Sequence, residues 1–199
     1  MKITVVIGSP RPQGHGAAIA RALLESLGGR GAKAKLYELG RLSYSGCRAC
    51  LKCKTTSEVC VAQDDLTAVL EDIRRSDLVV VSAPVFMGEI SAQAKGLFDR
   101  FYSYLAPDFR TRPGATRLPA GKTLVFILTQ GNPDEHSYAD VMARHRRMLG
   151  MCGFADIHPI HACGLGAAAE GRAGEKTMAR AGEIAQAILR GGTLSGPGQ

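Results

Sequence analysis

Apolar positions along this chain fall into two rhythms. Ile3–Ile7 (ITVVI), Leu78–Val81 (LVVV) and Thr123–Leu128 (TLVFIL) are short apolar runs rich in β-branched residues. Each reads as a strand, and Leu78–Val81, almost wholly apolar, as one buried on both faces. Lys33–Leu39 and Ala155–Ile160 read as two further strands. Between the strands the apolar residues recur at helical spacing. His15–Leu27 carries Ile19, Leu23, Leu24 and Leu27 on one face, and the segment after Asp64-Asp65 carries Leu66, Val69, Leu70 and Ile73. Ser91 to about Tyr102, Ser137–Leu149 and Glu175–Leu189 complete the helical set. The acidic start at Asp64-Asp65 suits the positive end of a helix dipole. A βαβα alternation of this kind predicts an α/β fold: a five-stranded parallel sheet covered by helices on both faces. Its ligand is expected outside the carboxyl ends of the strands, where the strand order reverses.

Two stretches break the rhythm. Gly40–Asp64 holds four cysteines, several basic residues and few large apolar ones, so it reads as an insert rather than a core element. Leu105–Gly121 mixes prolines and glycines with Arg110, Arg112 and Arg117, and reads as a mobile surface loop, a lid or a subunit contact. Residues 1–190 are expected to form one domain with the insert at 40–64, and 191–199 a disordered tail.

Composition narrows the function classes. The net charge of +7 allows an acidic ligand such as a phosphate ester, or an acidic partner surface. The basic residues are dispersed, with no stripe or recognition helix, which argues against nucleic acid. No apolar run is long enough to span a membrane, and the N-terminus opens on a strand instead of a signal segment, so a cytoplasmic protein is expected. Four of the six cysteines fall within 14 residues, unlike a secreted disulfide framework.

Chemistry is expected first in the loop after strand one, Gly8-Ser9-Pro10-Arg11-Pro12-Gln13-Gly14-His15-Gly16. Its glycines permit tight backbone turns, Ser9 and Arg11 add donors, and the following helix points free N–H groups at an anion. Neither GxGxxG nor a Gly-Lys-Ser/Thr P-loop is present, and a plain Gly/Pro-rich turn is the competing reading. The second signal is CxxCxxCx6C on Cys47, Cys50, Cys53 and Cys60. Thiolates in this density suit an iron–sulfur cluster or zinc; a thiol-redox loop and disulfides are the other readings. Cys152 reads as core and Cys163 as part of a Gly-rich turn. His136, His145, His158 and His161 lack metal-ligand spacing. Asp99-Arg100 reads as a helix-end charge pair.

GSPRPQGHG after an N-terminal strand resembles the phosphate loop of the NADPH-dependent FMN reductase-like branch of the flavodoxin-like superfamily. More narrowly, the chain resembles the iron–sulfur flavoproteins and related NAD(P)H-dependent oxidoreductases. The likeness continues through Asp64-Asp65, Ser82-Ala83-Pro84-Val85-Phe86, Lys95 to Asp99-Arg100 and Thr129-Gln130-Gly131. It implies a flavodoxin-like three-layer sandwich with strand order 2-1-3-4-5. It implies that Ser9, Arg11, Gly14, His15 and Gly16 surround an FMN phosphate, His15 and Gly16 standing where relatives carry Asn and Ser or Thr. Pro84, Val85, Phe86, Met87 and Gly88 would lie along the isoalloxazine on one side, and Thr129, Gln130 and Gly131 on the other; Phe86 and Met87 could equally be core. The four cysteines would hold a [4Fe–4S] cluster exchanging electrons with FMN.

The leading expectation is therefore an FMN-dependent oxidoreductase or electron-transfer protein carrying that cluster. A cluster-free NAD(P)H-dependent FMN or quinone reductase is the first alternative, and a nonenzymatic metal-binding module the second. No acid–base triad is evident, and no catalytic side chain is singled out. The resemblance further implies a homodimer or homotetramer, with NAD(P)H or a small redox protein as electron partner.

Overall fold

The computed structural model describes residues 1–28, 33–166 and 174–191. Along the chain the elements run β1 (Lys2–Ile7), α1 (His15–Ser26), β2 (Lys33–Glu38), α2 (Lys52–Thr55), α3 (Leu66–Arg75), β3 (Leu78–Phe86), β4 (Glu89–Ile90), α4 (Ala92–Arg100), β5 (Thr123–Thr129), α5 (Ala139–Cys152), β6 (Asp156–Ala162) and α6 (Glu175–Leu189).

The strand alternation feeds two cores. Ile3, Val5 and Ile7 of β1 face Ile19 and Leu23 of α1 and Ile184 of α6. Val6, with Val79, Val81, Leu124 and Phe126, faces Leu66 and Ile73 of α3, Leu97 and Phe98 of α4, and Val141 of α5. A strand filling both cores must be apolar at every position, which is why the central runs lack polar alternation. The sheet order is β2-β1-β3-β5-β6, with every neighbouring pair parallel. Counting the five long strands alone, this is the 2-1-3-4-5 order, and the reversal between β1 and β3 is where sheets of this order place a ligand, at the carboxyl ends. Nothing in the sequence pattern announced β4, a two-residue return strand antiparallel to the end of β3.

Three differences from the sequence expectation have physical reasons. β3 runs to Phe86 and does not stop at Val81, despite Pro84. The β1 ladder ends at Ile7–Ser82, so Pro84 lies beyond it and deprives no neighbour of a donor, while its other flank still pairs with Thr129. Leu105–Gly121 is not a mobile loop in its first part: Leu105 bridges Thr116, the Arg117 N–H donates to the Tyr104 carbonyl at 2.6 Å, and Thr116 Oγ1 donates to the Cys152 carbonyl at 2.6 Å. Leu105, Ala106, Ala115 and Leu118 are buried there. Helix α4 continues as a 3-10 turn, Phe101–Tyr104, whose aromatic rings stack into the core. The expected tail lies outside the described residues from 192 on. Among the described residues no helix is long and apolar enough to cross a membrane.

Candidate functional site

The β1–α1 loop is built around close backbone approach. The Gly8 N–H donates to the Ser82 carbonyl at 2.7 Å, and the Gly8 carbonyl accepts from Ser91 Oγ at 2.6 Å. A Cβ on Gly8 would stand 2.7 Å from the Ser82 oxygen and 2.8 Å from the Ala94 Cβ; one on Gly16 would stand 2.9 Å from Ser82 Oγ. Only glycine fits at either position. Helix α1 then starts with Gly14 as N-cap, no side-chain cap and no acidic residue in its first turn. Its positive end is therefore neither capped nor neutralised from within the helix, the arrangement that favours an anion. Ser9 and His15 are buried beside it, and Arg11 is exposed. The Arg11 N–H donates to Ser9 Oγ at 3.1 Å. His15 Nε2 lies 3.3 Å from the Gly166 carbonyl, and its Nδ1, like Ser82 Oγ, is buried with no partner among the described residues. Buried polar atoms without partners are few in folded proteins, and two of them lie together beside the open start of α1.

The same mouth is framed by the ends of β3 and β5. Pro84 and Val85 are half-buried, Phe86 is 43% exposed and Met87 fully exposed. Neither Phe86 nor Met87 is core. Phe86 pairs with Glu89 across the two-residue turn Met87-Gly88, with φ of 50° and 80°. Positive φ at both central residues is the tight hairpin geometry in which Asn-Gly is the usual choice; a methionine there is strained. Glu89 is a residue that sequence reasoning missed. Burial opposes its charge, but hydrogen bonds from His145, the Ile90 N–H and Arg144 outweigh that and lower its pKa to about 2. Across the mouth Thr129 and Gln130 are buried and Gly131 exposed. The Gln130 amide is fully engaged: Nε2 donates to the carbonyls of Asn132 and Asp134 at 2.9 and 2.8 Å, and Oε1 meets His161 Nε2 at 2.7 Å. Gln130 thus braces its loop with its side chain. The structure brings all three segments together at one end of the sheet.

Comparison with known proteins agrees with this geometry. Residues 1–187 match the Flavodoxin_2 family, described as having a flavodoxin-like fold. The chain belongs to that family. An iron–sulfur flavoprotein of Methanosarcina thermophila is 38% identical over 100 residues, 50% of this chain and 52% of that protein. An FMN-dependent NADH:quinone oxidoreductase of Leptothrix cholodnii is 32% identical over 136 residues, 68% of this chain and 63% of that protein. The match thus spans about half the length of the first of these curated relatives. The solved NAD(P)H:quinone oxidoreductase from Methanothermobacter marburgensis superposes with a TM-score of 0.70 at 19% identity, over 95% of this chain and 97% of that one, and shows the shared fold.

Within this Flavodoxin_2 chain the cysteine insert departs from expectation. Among the described residues no group of three or more His, Cys, Asp or Glu side chains is placed to hold a metal ion. The [4Fe–4S] expectation for Cys47, Cys50, Cys53 and Cys60, and with it the zinc alternative, is corrected accordingly. Cys47 and Cys50 are exposed, Cys60 is half-buried and Cys53 is buried. Left-handed Ala49 and Leu51 flank Cys50, and α2 then carries Cys53 inward. The cavity the four border is about 20 Å³, room for about one water. All six cysteines are free thiols, so the disulfide reading also falls. Cys152 packs in the core as expected, and burial pushes its thiol up to about 12.

The insert is instead anchored by cations. Arg100, 1% exposed, donates to Asp64 Oδ2 at 2.9 Å and to the carbonyls of Ser45 and Ala62 at 3.1 and 3.3 Å. Arg117 Nη1 donates to the Cys53 carbonyl at 2.6 Å, and Lys54 Nζ to the Tyr102 and Leu105 carbonyls at 2.6 and 2.7 Å. Arg100 therefore does not pair with Asp99, which bonds Lys95. The pairing of Arg100 with Asp64 spans 36 residues and carries no local signal in the sequence.

Proposed function

We propose that this chain is an FMN-binding oxidoreductase of the cluster-free kind, a reductase that takes electrons from NAD(P)H and delivers them to a flavin or quinone-type acceptor. The carrying observation is the uncapped start of α1, with no acidic residue in its first turn, beside the buried His15 Nδ1 and Ser82 Oγ that have no partner among the described residues. Such a site suits a phosphate monoester: the free backbone N–H groups of the helix start would bind it, and the buried Ser9 and His15 and the exposed Arg11 lie on the same loop and helix start. Ser9, Arg11, Gly14, His15 and Gly16 would hold the phosphate. Pro84, Val85, Phe86, Met87 and Gly88 would meet one edge of the ring, and Thr129, Gln130 and Gly131 the other. Bound there, FMN supplies electron acceptance in one- or two-electron steps.

The chain's own part is to bind and orient. Exposed Phe86 and Met87 offer an apolar ledge for an aromatic ring, and a thioether adapts well to such a surface. Three further readings go with the proposal. The assembly is a homodimer or homotetramer; a small redox protein is an alternative electron partner; and six free thiols suit the reducing cytoplasm. An FMN titration followed by loss of flavin fluorescence tests the core reading, with NADH or NADPH then added anaerobically. Saturable FMN binding and bleaching of the flavin absorbance are expected. Protein that leaves FMN fluorescence unchanged at micromolar concentrations would overturn it.

A further inference from the structure

The hairpin at the mouth is costly for its size. A two-residue strand pair has little stability of its own, and Met87 holds a conformation disfavoured for a residue with a side chain. Backbone strain persists where surrounding contacts over-determine it, and it gathers at functional sites. Here the over-determining contacts come through one carboxylate. Glu89 Oε1 accepts from the Ile90 N–H at 2.7 Å and meets His145 Nε2 at 2.7 Å; Oε2 accepts from Arg144 Nη1 at 2.9 Å. His145 is 4% exposed, edge-on to Phe98 at 5.4 Å and to Phe126 at 6.0 Å, so its ring cannot swing. Among the described residues its buried Nδ1 has no partner, which leaves Glu89 as the polar contact of that ring. Helix α5 thus grips the return strand through a side chain fixed in the core, while the tip it supports leaves Met87 fully exposed.

We propose that Glu89 is a positioning residue: held from α5 by His145 and Arg144, it keeps the Met87-Gly88 tip rigid as the edge against which the flavin ring seats. The inference rests on the FMN reading above and adds to it a residue outside the expected site. A tip held this way serves the ring and not the phosphate, which lies against α1.

The test separates ring from phosphate and needs no turnover. Hydrogen exchange is measured on flavin-free protein, and FMN, riboflavin and inorganic phosphate are titrated separately, phosphate by competition with FMN. In Glu89→Ala, exchange at residues 86–90 should quicken about tenfold, and the Kd for FMN and for riboflavin should rise by a similar factor, as expected for losing charge-assisted hydrogen bonds. The inhibition constant of phosphate should not change, and Glu89→Gln should restore most of the affinity. Arg144→Ala, on the surface, should move the same readouts less and guards against a variant that fails to fold. Unchanged exchange at 86–90, or faster exchange with unchanged riboflavin affinity, would overturn the proposal, as would a raised inhibition constant for phosphate. If wild-type protein binds neither FMN nor riboflavin, the flavin reading fails and the positioning role falls with it; the exchange result still reports on the clamp separately.

Discussion

At the residue scale, Gly16 shows how one position trades with its neighbour. The family resemblance places a hydroxyl residue here, yet a Cβ on Gly16 would meet Ser82 Oγ at 2.9 Å and Ser82 Cβ at 3.0 Å. Ser82 fills the space that a side chain at position 16 would need. Gly16→Ser alone should therefore destabilise by about 1–3 kcal/mol through overpacking. Gly16→Ser with Ser82→Gly should recover most of that loss, because the new side chain then occupies the vacated space. Urea unfolding of the two single variants and the double variant checks this. Additive losses in the double variant would show that the two positions do not share one space. The loop was legible from its glycines and its place after the first strand. The role of Ser82 was not, because it sits 66 residues further on in a strand that reads as plain core.

At the element scale, the insert between β2 and α3 is held by a buried ion pair instead of a core of its own. Arg100 on α4 is buried, and Asp64 at the insert's far end is 15% exposed at its side chain. Burial opposes the carboxylate, but the hydrogen bonds from Arg100 and the Ser45 N–H hold its pKa below the ordinary value. Removing one partner leaves a buried charge uncompensated. Asp64→Ala, which strands the fully buried Arg100 charge, should accordingly cost about 3–5 kcal/mol, more than Arg100→Met, which strands the less buried Asp64 carboxylate and keeps apolar volume. Amide exchange over residues 43–64 should rise in Asp64→Ala well before the sheet opens. Equal stability of Asp64→Ala and wild type in urea would refute the anchoring role. The sequence marked Asp64 as a helix start and Arg100 as half of a local pair. Only folding brings the end of α4 against the end of the insert.

At the scale of the whole molecule, several carboxylates are ionised more readily in the fold than outside it. Glu89 falls from 4.5 to about 2, and Asp64 and Asp72 are also lowered; in each, burial opposes the charge and cationic or hydrogen-bonding partners outweigh it. A carboxylate with a depressed folded pKa stabilises the native state fully above its unfolded value. That contribution is lost as pH falls through the folded value. Stability should thus hold down to about pH 4.5 and decline steeply toward pH 2, helped by self-repulsion in a chain already at +7. A series of thermal melts from pH 7 to pH 2 checks the window. Glu89→Gln should flatten the acid limb, and an unchanged limb in that variant would remove Glu89 from the set.

The sequence by itself determined the architecture. Runs such as ITVVI and LVVV can be stable only between two apolar layers, and helical spacing between them supplies those layers, so the α/β class and the end of the sheet bearing the site follow from local pattern. The tight turn after β1 was legible for the same reason, since backbone geometry there depends on adjacent glycines. Tertiary structure decided the rest. The CxxCxxCx6C spacing is a property of the chain, whereas metal holding is a property of thiol positions in space, and folding sends Cys53 inward while Cys47 and Cys50 stay exposed. Glu89 with His145, Arg100 with Asp64, and Gly16 with Ser82 are pairs separated by 56, 36 and 66 positions. Their interactions depend on distances of a few ångströms that no local period encodes, because they exist only once the strands have set which helix lies against which.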